Sequence, residues 1–254
     1  MHSLVTNDDG VQAPGLLALA QELRKLCRVT IFAPDHNWSA SGHVKTMDHP
    51  LRVREVCLAD GTSALSTDGA PSDAVALALL GVVKEKIDLV VSGINTHENI
   101  GHDVTYSGTV TAAMEAVIGC VPGIAVSLNS PDDFKGVLDY STAAIVARRV
   151  VEKVMAEGLP EGVLLNVNVP YLKEDELKGY MITRQGLRVY RDELDSRKDP
   201  RGKPYYWIGG QFPTGVLEEG TDYGAIKAGY VSITPLQLDL TAREAMEELK
   251  KWTW

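Results

Sequence analysis

Short runs rich in β-branched residues alternate with helical patterns over the first two thirds of the chain, and this alternation constrains the fold more than any other feature. It is typical of βαβ units, in which successive strands lie parallel in one sheet and helices cover its faces. We therefore predict an α/β fold with a mostly parallel sheet. The predicted strands are Leu4 to Thr6, Val29 to Ala33, Ile87 to Ser92, Gly123 to Ser127 and Val163 to Val169.

The helical segments carry apolar residues with the period of an α-helix, so each can cover the sheet with one face. This predicts a three-layer, Rossmann-like arrangement with helices on both faces of the sheet. Residues Leu51 to Leu65 interrupt the alternation and predict a hairpin that turns at Ala59-Asp60-Gly61-Thr62. The helical faces are Leu16, Leu19, Leu23 and Leu26 in the first segment, and Val137, Tyr140, Ala144, Ala147, Val151 and Val154 in the longest.

Beyond Tyr171 the sequence becomes polar and rich in turn residues, with an aromatic cluster at Tyr205-Tyr206-Trp207. We predict a single domain with a core of about residues 1–170 and a β-rich oligomerisation arm and C-terminal segment of about residues 171–254. A further strand is predicted from Gly229 to Thr234, and a terminal helix near Thr241 to Trp252. The alternative, in which the aromatic cluster folds back on its own domain, stays open.

Composition and charge exclude several functional classes. A chain of 254 residues with 44% hydrophobic content can bury a large core. Its 25 basic and 34 acidic residues give a net charge of −9, which argues against binding to nucleic-acid duplexes. The three cysteines are scattered, and we expect neither an export signal nor a membrane span, so a reducing cytoplasm is the expected location.

Two adjacent carboxylates, Asp8 and Asp9, follow the first predicted strand and precede a glycine. Like charges at this separation raise each other's pKa unless a cation binds beside them, and a hard divalent ion prefers oxygen ligands. The alternative is an ordinary acidic turn that closes a strand. The pair therefore predicts a metal site, provided that further oxygen ligands lie at the same place.

Two further polar residues follow other predicted strands. Ser39 lies beyond the second strand, and Asn95 follows the strand that ends at Ser92. Because ligands of open parallel sheets bind at the carboxyl ends of the strands, we expect these side chains to converge with Asp8 and Asp9. Ser and Asn also favour loops for local reasons, but together the four residues form an all-oxygen shell for a divalent cation.

The segment Ser107-Gly108-Thr109 opens a predicted helix whose apolar face begins at Val110. Ser107 is the predicted N-cap, and the free backbone N–H groups with the positive end of the helix dipole predict a phosphate site. Plain capping is the alternative. The position of the segment, one loop after Asn95, favours phosphate binding beside the predicted metal.

The sequence does not support three other kinds of functional site. His97 and His102 lie five residues apart, so they do not share the helix face that a zinc protease motif needs. No glycine fingerprint for a dinucleotide and no P-loop occurs. A receiver domain needs an aspartate after a middle strand, where this chain has Asn95, although Asp8 as a nucleophile stays open.

With these residues in view, the chain resembles the SurE survival-protein nucleotidases, which are metal-dependent phosphatases of nucleoside monophosphates. The resemblance spans nearly the whole chain. It rests on Asn7-Asp8-Asp9-Gly10, Ala33-Pro34-Asp35 with Ser39, Val91-Ser92-Gly93-Ile94-Asn95, Asn99 with Gly101 and Asp103, Tyr106-Ser107-Gly108-Thr109-Val110, Leu165-Asn166-Val167-Asn168-Val169-Pro170, Thr183-Arg184-Gln185-Gly186, and Gly229-Tyr230-Val231-Ser232-Ile233-Thr234-Pro235.

The resemblance implies one divalent ion, Mg²⁺ or Mn²⁺, and a homodimer or homotetramer joined through the arm and the C-terminal segment. It places the metal ligands on Asp8, Asp9, Ser39 and Asn95, and the phosphate contacts on Asn95 and on Ser107, Gly108 and Thr109. We expect hydrolysis of nucleoside 5′-monophosphates, and of 3′-monophosphates as further substrates, by attack of water with Asp8 or Asp9 as base. The alternatives are a non-catalytic module that binds metal and nucleotide, and a phosphohydrolase that prefers polyphosphate.

Two positions depart from the pattern of this family. His97 and Glu98 follow Asn95 where a glycine is usual, and a left-handed backbone there would cost about 1 kcal/mol with histidine. Ala70 replaces a threonine that would cap the second helix, and we expect Asp73 in the first turn to compensate in part.

Overall fold

The computed structural model describes residues 1–253 and has a mixed sheet with a separate hairpin. The helices are α1 (Pro14–Leu23), α2 (Pro71–Leu77), α3 (Gly108–Ile118), α4 (Ser141–Glu157), α5 (Asp222–Lys227) and α6 (Arg243–Leu249). The strands are β1 (His2–Thr6), β2 (Arg28–Pro34), β3 (Val53–Cys57), β4 (Ser63–Thr67), β5 (Leu89–Asn95), β6 (Gly123–Asn129), β7 (Val163–Pro170), β8 (Tyr180–Ile182), β9 (Arg188–Lys198), β10 (Pro204–Gly215) and β11 (Val231–Gln237).

The large sheet has the order β3-β4-β2-β1-β5-β6-β7-β11-β8, and its six consecutive strands from β4 to β7 are parallel. Helices α1 and α4 pack together on one face, and α2 and α3 pack together on the other. Each pair buries its own apolar cluster against the sheet. The predicted three-layer α/β fold is therefore confirmed.

Several local predictions hold and others are wrong. The hairpin of β3 and β4 is present, with a turn in which the Leu58 amide donates to the Thr62 carbonyl over 2.8 Å. Val137 lies before α4 and is exposed, because that helix begins only at Ser141. The amide of Ala70 donates to Asp73 Oδ2 over 2.9 Å, so the acidic side chain takes over part of the missing cap.

The C-terminal third differs from the predicted arm. Strand β11 pairs antiparallel with β7, β8 pairs with β11, and α5 packs against both β7 and β11, so these elements belong to the core. The projecting part is the hairpin of β9 and β10, which forms a sheet of its own. None of the helices in the described part of the chain combines the length and hydropathy needed to cross a lipid bilayer.

Candidate active site

The strand order places a crevice at the carboxyl ends of β1 and β5. The chain leaves β1 towards β2 on one side and later returns to β5 on the other, so the direction of winding reverses between these two neighbours. Ligands of open α/β sheets bind where the winding reverses, because the loops after the two strands part there. Asp8 and Asp9 follow β1, and Asn95 ends β5.

A tight turn after β1 positions the carboxylates of Asp8 and Asp9. Asn7 and Gly10 are joined by two hydrogen bonds, from Asn7 Nδ2 to the Gly10 carbonyl over 3.1 Å and from the Gly10 amide to Asn7 Oδ1 over 3.2 Å. Gly10 has φ +102°, a conformation that side chains rarely adopt. The Asn-Asp-Asp-Gly motif thus serves as a rigid turn that presents Asp8 and Asp9.

Asp8 lies against the first turn of α3. Its side chain is buried, and Oδ1 accepts a hydrogen bond of 2.5 Å from the Thr109 hydroxyl. A Cβ on Gly108 would lie only 2.7 Å from the Cβ of Asp8, so glycine is what permits this close approach. Burial raises the pKa of Asp8, and the bond from Thr109 partly opposes that rise.

Asp9 is the more accessible carboxylate of the pair. Burial and, second, the charge of Asp8 raise the pKa of Asp9 to about 6. No Lys, Arg or His of residues 1–253 forms an ion pair with either carboxylate. A divalent cation would relieve this repulsion, so the donor set fits the metal that the sequence predicts.

The loop after β2 brings Ser39 to the same turn. The Trp38 amide donates to the Asp8 carbonyl over 2.7 Å, and this bond ties the loop to β1. Asn37 links the turn after β1 to the loop after β2. Its Nδ2 donates to Asp9 Oδ1 over 3.3 Å, and its Oδ1 accepts from the Ser39 amide over 2.7 Å. Ser39 itself is exposed.

Asn95 is oriented by its own loop. Its Nδ2 donates to the His97 carbonyl over 2.6 Å, which leaves Oδ1 as the oxygen available to a cation. His97 is not among the described residues that have a positive φ, so the strain considered for this position does not arise. The loop is held instead by a contact of 3.1 Å between His97 Nδ1 and Ser130 Oγ.

The first turn of α3 has the geometry of an anion site. Ser107 is the N-cap, since its Oγ accepts from the Val110 amide over 3.1 Å. The backbone N–H groups of Gly108 and Thr109 lie close enough to the Asp8 carboxylate to oppose the rise of its pKa. A phosphate at this helix terminus would therefore adjoin the candidate metal ligands.

Three participants were not predicted from the sequence in these roles. Asn37 bridges Asp9 and Ser39, the Thr109 hydroxyl holds Asp8, and the Tyr140 hydroxyl lies 3.3 Å from Thr96 Oγ1 beside the crevice. Burial raises the pKa of Tyr140, and the charge of Asp9 adds to that rise. Asn37 stands two residues before Ser39, a spacing typical of an Asx turn, which is the one local pattern that could have indicated it.

Glu115 anchors the loop that carries Ser39. Its buried carboxylate lies 3.0 Å from His43 Nε2 and 3.3 Å from Lys45 Nζ. The bond with His43, followed by the contact with Lys45, holds the pKa of Glu115 below its ordinary value. The loop after β2 is thereby fixed to α3 at a second place, away from the metal ligands.

This anchor predicts a pH-dependent loss of stability in Glu115→Gln. At neutral pH the substitution should lower the free energy of unfolding by only about 1 kcal/mol, because the side chains of His43 and Lys45 are partly exposed and solvent screens their charges. A carboxyl group with a lowered folded pKa stabilises the fold above its unfolded pKa, so the difference should vanish as the pH falls through the folded pKa. Urea unfolding across this pH range measures the difference in unfolding free energy. Lys45→Met keeps the contact with His43, so this variant should lose less unfolding free energy. Equal losses in the two variants would contradict the role of Glu115 as an anchor.

Among residues 1–253, no three His, Cys, Asp or Glu side chains cluster as a metal site. The candidate shell is of another kind, because it has only two carboxylates and a hydroxyl and an amide supply the other oxygens. The structure brings Asp8, Asp9, Ser39, Asn95 and the first turn of α3 to one edge of the sheet. Their roles as ligands stay a prediction.

Comparison with known proteins gives a consistent result. The model of the family described as survival protein SurE matches residues 3–192. Proteins named 5′-nucleotidase SurE from Chloroflexus aggregans and Herpetosiphon aurantiacus are each 52% identical over 254 residues, covering all of this chain and 100% and 99% of their own lengths. The crystal structure of the SurE protein from Aquifex aeolicus aligns over 98% of both chains, with 42% identity and a TM-score of 0.83.

Proposed function

The chain belongs to the SurE survival-protein family and is a phosphoric monoester hydrolase, and on that premise we propose that it hydrolyses nucleoside 5′-monophosphates with one divalent metal ion, Mg²⁺ or Mn²⁺. Nucleoside 3′-monophosphates are further substrates in this proposal. The observation that carries it is the pair of the buried Asp8 and the half-buried Asp9, which has no cationic partner among the described residues and adjoins the first turn of α3.

Asp8, Asp9, Ser39 and Asn95 would hold the ion. A divalent ion there supplies positive charge for the phosphoryl oxygens and increases the acidity of water. Asn95, the Ser107 hydroxyl and the amides of Gly108 and Thr109 would bind phosphoryl oxygens of the substrate, since backbone N–H groups at a helix N-terminus favour an anion. These residues bring substrate and water together in a fixed orientation.

Asp9 is the better candidate for the base. Oδ1 of Asp8 is occupied by the hydrogen bond from Thr109, and its side chain is buried more deeply than that of Asp9. Asp9 is less buried, and from residues 1–253 its side chain accepts only the long bond of 3.3 Å from Asn37. It can therefore take a proton from the attacking water and release it to solvent.

Thr109 should act on metal binding through Asp8. Thr109→Val keeps the shape of the side chain and removes the hydroxyl that fixes the carboxylate, so we expect the affinity for Mn²⁺ to fall by about tenfold. Titration of Mn²⁺ by electron paramagnetic resonance measures the affinity without turnover. Thr109→Ser retains the hydroxyl and serves as the control. Equal affinity in all three proteins would contradict this role.

A substrate panel separates the proposal from its two alternatives. Phosphate release should be measured from 5′- and 3′-nucleoside monophosphates and from short polyphosphate, with Mn²⁺, with Mg²⁺ and with chelator alone. Metal-dependent release from the 5′-monophosphates supports the proposal. Release from polyphosphate in preference to nucleotides favours a phosphohydrolase that prefers polyphosphate. Nucleotide binding without phosphate release favours the non-catalytic module.

We also propose a homodimer or homotetramer that assembles through the β9–β10 hairpin, in a cytoplasmic protein that binds a nucleotide substrate and neither membranes nor nucleic-acid duplexes. The hairpin exposes large apolar side chains that have no core of their own, and such patches mark interfaces. They are Leu194, Tyr206, Trp207, Ile208 and Phe212.

The hairpin can be shortened without disturbing its base. Arg191 pairs with Gln211 across the ladder, so an Asn-Gly turn that replaces residues 192–210 should close the hairpin there. The variant keeps the Tyr190 hydroxyl bonded to Asp103, an anchor to the core. We expect light scattering to report a smaller assembly; an unchanged mass would refute the role of the hairpin.

A further inference from the structure

A cavity of about 360 Å³ opens beside the candidate active site, at the ends of β6 and β7. Its walls include Glu98, Asn129, Ser130 and Tyr171. We propose that this cavity is the subsite for the nucleoside of the substrate, with Glu98 as a residue that determines specificity. The inference rests on the proposed function and deepens it, because it states which part of the molecule distinguishes a nucleotide from other phosphate esters.

The cavity lies within reach of the phosphate site. Asn95 pairs with Ser127 in the sheet, so Asn129 extends two residues further along the neighbouring strand. Adjacent strands are about 4.8 Å apart, which places the ends of β6 and β7 about one and two such spacings from Asn95. The loop from Asn95 to Glu98 connects the two places directly. A substrate whose phosphoryl group lies at α3 can therefore extend its nucleoside along this edge of the sheet.

Glu98 is held as a fixed acceptor on the cavity wall. Its side chain is 10% exposed; Oε2 accepts from Asn129 Nδ2 over 2.7 Å, and Oε1 from Arg188 Nη1 over 3.2 Å. Arg188 is fixed in turn by an ion pair of 2.8 Å with Asp103. Each carboxylate oxygen has a second lone pair, so Glu98 can accept from the hydroxyls of a ribose or the amino group of a base.

The charge of the cavity suits a neutral group with hydrogen-bond donors. Its walls carry two carboxylates, Glu98 and Asp132, and one ammonium group, Lys227. Because Arg188 is paired with Glu98, these charges nearly balance; a second phosphate would find no excess positive charge here, so the cavity favours a neutral nucleoside over polyphosphate. Tyr171 adds aromatic surface of the kind on which bases stack.

The test compares two substrates that share the phosphate ester and differ in the nucleoside. We take the ratio of kcat/KM for 5′-AMP to kcat/KM for 4-nitrophenyl phosphate, in the full chain with Mn²⁺. Glu98→Gln should lower this ratio by about tenfold, mainly through KM for 5′-AMP, because a charged acceptor is lost from the site. Tyr171→Leu, which does not touch the ion pairs of Arg188, should lower it as well.

Glu161→Gln is the matched control, since Glu161 lies at the opposite edge of the sheet, before β7 begins. Its ratio should equal that of the unaltered chain. An unchanged ratio in both Glu98→Gln and Tyr171→Leu would overturn the inference. If the unaltered chain releases phosphate from 5′-AMP, such unchanged ratios refute the subsite alone. If the unaltered chain releases none from 5′-AMP, the proposed nucleotidase activity is refuted as well.

Discussion

Asp9→Asn is expected to lower kcat/KM for nucleoside 5′-monophosphates by about a thousandfold or more, while the fold stays intact. The substitution keeps the shape of the side chain and removes both a charged metal ligand and the proposed base. In the described part of the chain, the Asp9 side chain accepts one long hydrogen bond, from Asn37, so the loss of this bond should not disturb the turn after β1. Phosphate release under saturating Mn²⁺ measures the effect, and far-ultraviolet circular dichroism checks the fold.

The control for this variant is Asp192→Asn, which makes the same chemical change on the exposed hairpin. It should retain the activity of the unaltered chain. If Asp9→Asn were to retain activity as well, the assignment of metal ligand and base would be wrong. If both variants lost activity, the cause would lie outside the crevice.

Without metal, the same Asp9→Asn substitution should stabilise the protein. The pKa of Asp9 rises to about 6 because of burial and the charge of Asp8. A carboxyl group that binds its proton more tightly in the folded chain than in the unfolded chain destabilises the fold above its folded pKa. In chelator above pH 6, we therefore expect the variant to exceed the unaltered chain by about 2 kcal/mol in unfolding free energy.

This effect has a defined pH window. As the pH rises from about 4 to about 6, the unaltered chain without metal should lose stability, while Asp9→Asn should lose less because only Asp8 still contributes. The midpoint of thermal unfolding should differ by about 5 °C at neutral pH for a chain of this size. Equal midpoints across the whole window would contradict the electrostatic account of the pair.

Addition of Mn²⁺ should reverse the order of stability. A ligand that binds only the folded state stabilises it by about 2.7 kcal/mol at a hundredfold excess over its Kd, and the unaltered chain should gain this amount. Asp9→Asn should gain little, because its carboxylate pair is gone. A similar gain in both proteins would show that the ion binds elsewhere.

The sequence predicted the elements that depend on local pattern. The alternation of strands and helices follows from periodicity, and the convergence of Asp8 and Asn95 follows from a rule about strand ends, so both could be inferred without coordinates. The hairpin of β3 and β4 was equally local, since a glycine turn between short strands is enough to indicate it.

The parts that were not predicted depend on contacts between distant residues. Strand β11 pairs antiparallel with β7, and the sequence of β11 does not indicate which strand it pairs with. The bond from Thr109 to Asp8 joins residues 101 positions apart, and Glu98 meets Arg188 over 90 positions. Such contacts leave no periodic pattern or characteristic spacing in the sequence. Neither the hydrogen bond that holds Asp8 nor the ion pair at the wall of the cavity could therefore be inferred from the sequence alone.

The most direct test of the account is the metal dependence of phosphate release from 5′-AMP by the unaltered chain. The protein is stripped with chelator, assayed, and then titrated with Mn²⁺ and, separately, with Mg²⁺. The account predicts no release in chelator and recovery that saturates with at least one of the two ions. Release that continues unchanged in chelator would contradict it, because Asp8, Asp9, Ser39 and Asn95 would then not need a metal ion to act.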